Sequence, residues 1–130
     1  MIKKARKGYI PVKINTSKKL SKKTIALIEA SNTELYLSSA SAFEISIKYY
    51  LKKLPLPSIP EKYVPKRILS NALRELPISM KHTLMAGAFA SLHKDPFDRL
   101  LAAQAICESM ELLTVDKKFE EFPCKTIWAS

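Results

Sequence analysis

Glycine is nearly absent from this chain, with two in 130 residues. A loop that cradles phosphate through its backbone amides needs several glycines at close approach, so a glycine-rich nucleotide loop is excluded. Cysteine is as scarce. Cys107 and Cys124 lack the paired spacing of a metal framework and read as reduced thiols in a cytoplasmic protein. No apolar run approaches the ~20 residues of a membrane helix. No apolar stretch follows the basic N-terminus either, so a secretory signal is not expected. No Ser-His-Asp or Cys-His nucleophile set is evident. Acidic residues are missing altogether from positions 1–23.

That last absence locates the charge. The net charge of +10 suggests a nucleic-acid binder, yet residues 1–23 hold nine Lys or Arg, while residues 24–130 hold 13 basic and 12 acidic side chains. The body is nearly neutral. The basic character belongs to a leader over residues 1–19, of a kind that contacts phosphates without sequence preference. A mitochondrial presequence fits less well, because the block is rich in lysine rather than in arginine and serine. At this length, and with 47% hydrophobic residues, the remainder forms one domain with a real core and is not disordered.

Turn and periodicity signals divide residues 20–130 into alternating elements. Ser21 caps a helix ending near Ser31-Asn32, and Glu34 to Ser38 reads as a short strand. A helix opening at Ser39 to Ser41 carries Phe43, Ile45, Ile47, Tyr50, Leu51 and Leu54 before prolines 55, 57 and 60 stop it. A helix over 61–73 and a strand over 76–79 follow, the strand placed near an edge by Pro77. Residues 80–92 form a small-residue helix whose Ala86-Gly87-Ala88 segment suits core or dimer contact. Asp95-Pro96 is a strong helix start, with aspartate as N-cap and proline at the first helical position, and that helix runs to about Met110. Strands over 112–115 and 125–128 close the series. The alternation predicts an α/β/α three-layer sandwich with a mainly parallel central sheet.

In such sheets, sites form outside the carboxyl ends of the strands. Asp116 follows one strand end, and Glu44 and Asp98 lie near the starts of helices entered from the same side. Each carboxylate also has a local structural role available. Ser41 and Glu44 have capping-box spacing, and Glu44 can pair with Lys48 one turn on. Asp98 complements the dipole at its helix start, and Asp116 can cap residues 117–122. Taken together on one rim, the three suit a hard divalent cation such as Mg²⁺ or Mn²⁺, and so phosphodiester hydrolysis. Without a cation, clustered carboxylates repel. His93 either donates to phosphate or is a surface residue before the cap. Arg99 either faces substrate or pairs within the chain.

The string His93-Lys94-Asp95-Pro96-Phe97-Asp98-Arg99-Leu100-Leu101, with Ala103-Gln104-Ala105 and Thr114-Val115-Asp116 beyond it, resembles the PIN-domain toxins of the VapC type. Ser39 to Lys48 and the following Lys53-Leu54-Pro55-Leu56-Pro57 are similar to the second signature of that family, and the likeness covers roughly residues 19–130. The resemblance implies a PIN domain over residues 20–130 and a metal-dependent endoribonuclease using Mg²⁺ or Mn²⁺. It carries over Glu44, Asp98 and Asp116 as metal-holding, catalytic residues, with His93 and Arg99 as candidates toward the RNA. It further implies a cytoplasmic homodimer that cleaves transfer or ribosomal RNA and pairs with a VapB-type antitoxin.

The chain departs from the family at its start. Members open on a buried strand whose aspartate is a principal metal ligand, and counting back from Leu20-Ser21 puts that position at Arg6. Arginine cannot ligate a cation. Tyr9 to Ile14 is the only local substitute for the strand, and Pro11 and Lys13 sit poorly in a central one. The first strand is therefore expected to be altered or missing. Two functional expectations follow: an impaired ribonuclease, or an inactive PIN-like module that binds antitoxin or RNA.

Overall fold

The computed structural model describes residues 8–11, 34–70, 72–89, 95–114 and 117–128. Five strands form one sheet: β1 (Gly8–Pro11), β2 (Glu34–Ser38), β3 (Arg74–Leu76), β4 (Glu111–Thr114) and β5 (Thr126–Trp128). Their order across the sheet is β3-β2-β1-β4-β5, and every neighbouring pair is parallel. The described helices are α1 (Ser39–Tyr50), α2 (Pro60–Ser70), α3 (Met80–Ala88) and α4 (Pro96–Cys107), with a 3₁₀ turn at Lys117–Glu121. The expected helix over 21–32 lies outside the described residues.

The first strand is present and central. Gly8–Pro11 lies within the stretch expected to be a leader, yet Tyr9 pairs with Leu35 on one side and with Glu111 on the other. Pro11 is the last residue of the strand, opposite Leu113, where a missing ladder donor disrupts least. Arg6 precedes the strand in sequence and lies outside the described residues. The residues that follow the strand's carboxyl end in sequence are Val12 and Lys13, and no acid occurs before Glu29. The missing carboxylate is thus a property of the whole segment and not of Arg6 alone.

Both faces of the sheet are covered. Successive strand residues point to opposite sides, and Tyr36 and Leu37 join different hydrophobic clusters. Tyr36 packs against a cluster built on Leu101, Ala102, Ala105, Leu112, Phe119 and Phe122, fed by α4 and the 3₁₀ turn. Leu37 packs with Ile45 of α1 and Val64 of α2. Each fully buried Leu or Phe in these clusters stabilises the fold by about 1.5–3 kcal/mol.

Three expected boundaries move. Ser38, not Ser41, caps α1: its side chain accepts from the Ala40 amide, and no acid lies in the first turn. The Ser41–Glu44 capping box does not form. A capping box does occur in α3, where Ser79 accepts from the His82 amide and the Ser79 amide donates to His82 Nδ1 at 3.0 Å. Strand β3 ends at Leu76, so Pro77 follows the edge strand instead of interrupting it. Helix α1 stops at Tyr50, with Leu51 as its C-cap and Lys52 in the left-handed region at φ 61°.

Candidate functional site

Strand order defines where a ligand would sit. The chain passes from β1 to β2 and β3 on one side, then returns to β4 and β5 on the other, so direction reverses between β1 and β4. The crevice outside the carboxyl ends of two such strands is the usual binding position in open parallel sheets. Connectivity starts two carboxylate-bearing helices on that side. Helix α1 starts at the carboxyl end of β2 and carries Glu44. Helix α4 leads back to the amino end of β4, so its own start, with Asp98 in the first turn, lies on the same rim. Asp116 comes two residues after β4 and lies outside the described residues, as does His93.

The helices that carry the two described carboxylates meet close to them. Phe43 and Phe97, each the residue before one of them, meet edge-to-face with ring centroids 5.5 Å apart. Glu44 sits in the second turn of α1, one turn further in than expected, and pairs with Lys48 at 3.4 Å. Its side chain is 20% exposed and that of Lys48 45%. Asp98 and Arg99 are both half-buried and both engaged in interactions within the protein. Asp95 takes the N-cap role expected of it, accepting from the Phe97 amide at 2.8 Å and the Asp98 amide at 3.3 Å.

A hard cation fits the kind of donor on this rim. Glu44 and Asp98 are both oxygen donors, the kind a hard cation takes. Ser41 Oγ, buried in the first turn of α1, has no hydrogen-bond partner among the described residues. The donor number is short there: no group of three potential ligands occurs among the described residues, so a complete site depends on Asp116.

Two side chains that the sequence reading passed over underlie this rim. Gln104, fully buried in α4, accepts a hydrogen bond from Ser38 Oγ and donates to the carbonyls of Pro77 at 3.2 Å and Leu76 at 3.4 Å. Buried His82 uses Nδ1 to accept from Ser79, which puts its proton on Nε2 for donation to Glu108 at 2.9 Å. A polar residue inside the run Leu100-Leu-Ala-Ala-Gln-Ala105 was the available signal for Gln104. A separate cavity of about 250 Å³ lies between Ala105, Met110, Pro123 and Cys124. It opens at the amino ends of β4 and β5, away from the carboxylates. Burial pushes the Cys124 thiol beside it up to about 11.

The all-parallel α/β sheet starts the helices carrying Glu44 and Asp98 on the side of its switch point, where open sheets of this kind bind their ligands. The chain belongs to the PIN-domain family, whose model matches residues 10–123. Over 60 residues it is 38% identical to Ribonuclease VapC16 of Mycobacterium tuberculosis (strain ATCC 25618 / H37Rv). That segment is 46% of this chain and spans 43% of the relative. The fold is similar to the crystal structure of VapBC2 from Rickettsia felis bound to a DNA fragment from their promoter. The TM-score is 0.60 and the identity 19%, over 92% of this chain and 97% of the other. The expected PIN domain is met by the family match. No described helix is long and apolar enough to cross a membrane.

Proposed function

We propose that this chain is a VapC-type toxin ribonuclease that hydrolyses RNA phosphodiester bonds with Mg²⁺ or Mn²⁺ held by Glu44, Asp98 and Asp116. The observation that carries the reading is the convergence of α1 and α4, with Glu44 and Asp98, on the switch-point rim of a PIN domain. A divalent ion held there lowers the pKa of water and offsets charge gathering on the phosphate oxygens. The protein's own part is to orient the carboxylates, with Arg99 and His93 directed toward the RNA. Activity is low, because the segment that supplies the family's first carboxylate has none. The partner is a VapB-type antitoxin, the substrate transfer or ribosomal RNA, and the assembly a cytoplasmic homodimer.

Incubating the purified protein with transfer RNA and Mn²⁺ tests this directly. Slow cleavage that stops with EDTA and with Asp98→Asn is expected. Cleavage indifferent to both would overturn the assignment of the site. Fast cleavage that Asp98→Asn abolishes would keep the site and remove the claim of impairment. The acid-free N-terminal segment favours a second reading, an inactive module that binds antitoxin or RNA. RNA binding without any metal-dependent cleavage would select it.

A further inference from the structure

We infer that Gln104 is the positioning residue that holds the two carboxylate-bearing helices in register. The inference rests on the metal-site reading above and concerns a residue to which that reading gives no role. Gln104 lies on α4, less than two turns after Asp98, and its side chain is completely removed from solvent. Its carbonyl oxygen accepts from Ser38 Oγ. Ser38 is itself buried and does two jobs at once: it ends β2, and its oxygen accepts from the Ala40 amide at 3.0 Å to cap α1. The Gln104 amide nitrogen meanwhile donates to the carbonyls of Leu76 and Pro77, at the carboxyl end of β3.

One buried amide thus ties together the helix carrying Asp98, the junction that starts the helix carrying Glu44, and the edge strand beside it. Every group in this link has a partner, so it has one arrangement in the core. An apolar side chain of similar length would fill the space while leaving the Ser38 hydroxyl and two carbonyls without partners. Ala40 of α1 packs in one cluster with Leu101 and Ala102 of α4, and these helices also share the Phe43–Phe97 contact. That ring contact sits at the exposed edge, with Phe43 60% exposed, and cannot set their spacing alone.

Binding of Mn²⁺, followed by loss of the free-ion electron paramagnetic resonance signal, tests the role without requiring turnover. Wild-type protein should bind Mn²⁺ at a site that Asp98→Asn removes. Gln104→Met and Ser38→Ala should each weaken that site at least ten-fold while cooperative unfolding persists. Ser38→Ala removes a single hydroxyl and so reads the link even if Gln104→Met fails to fold. Met110→Ala, which thins the core at the amino end of β4, away from the carboxylates, serves as the control and should leave the affinity unchanged at a comparable loss of melting temperature. The double variant should bind no worse than the weaker single one, because both changes break one link. Unchanged affinity in both network variants overturns the inference and leaves the metal site standing. Equal weakening by Met110→Ala overturns it as well, since stability alone would then account for the loss. Absence of any Asp98-dependent site in wild-type protein overturns the metal-site reading and this inference together.

Discussion

Glu44 and Asp98 illustrate how one side chain can serve structure and chemistry together. The Glu44–Lys48 pair has helix i,i+4 spacing and a half-exposed lysine, which makes it worth about 0.3–0.5 kcal/mol. A contact that weak holds Glu44 in place without competing seriously with a divalent ion. Asp95 is different, since it satisfies two amides at the start of α4. Asp95→Ala should cost about 1 kcal/mol and lower the melting temperature by a few degrees, as a thermal scan would register. No loss would mean that another group caps the helix. Cys124 supplies a pH test. Its thiol ordinarily titrates near 9 and is raised to about 11 by burial. Between those values the unfolded chain releases a proton that the folded protein keeps, so stability should fall as pH climbs from about 9 to about 11. Denaturant titrations of wild type and Cys124→Ser should differ in slope across that window and agree below it. Alkylation of Cys124 at pH 8 should likewise be slower than that of a free thiol.

At the scale of elements, the chain was legible where a local rule decides the outcome. Strand β2 and the Asp95-Pro96 start of α4 fall at the expected positions because turn residues and a proline fix them. The shared rim for Glu44 and Asp98 was legible for a related reason: alternating strands and helices place both helix starts on one side of a parallel sheet. Competing local signals misled elsewhere. Ser38, Ser39 and Ser41 can each cap a helix, and the one buried against Gln104 prevails. That contact joins residues 66 apart in sequence, which no periodicity reveals. β1 was the hardest element, because a four-residue strand containing glycine and proline has little propensity of its own. It is held by ladders on both sides, which makes it indispensable to the sheet. Deleting residues 1–7 should therefore leave a cooperative thermal transition, while deleting residues 1–11 should abolish it by separating β2 from β4. A cooperative transition in the longer deletion would show that the sheet closes without β1.

For the molecule as a whole, the distribution of charge separates two contributions that a net charge of +10 merges. The folded body is close to neutral, so any strong attraction for RNA phosphates must draw largely on the N-terminal segment. Residues 1–7 contain Lys3, Lys4, Arg6 and Lys7 and precede β1, so they can be removed without taking a strand from the sheet. If each of these four neutralises one phosphate of single-stranded RNA, deletion should reduce the slope of log affinity against log salt by about 3. Affinity at low salt should fall steeply and converge with that of the full chain as salt rises. The carboxylate rim makes the opposite demand, since it repels phosphate until a cation is bound. Mn²⁺ should therefore strengthen RNA binding by the truncated protein proportionally more than by the full chain, and Asp98→Asn should cancel that gain. Filter-binding titrations of both proteins, with and without Mn²⁺ and across a salt series, measure the two contributions separately. Equal salt slopes for the two proteins would place the phosphate contacts after residue 7 and remove residues 1–7 from RNA recognition.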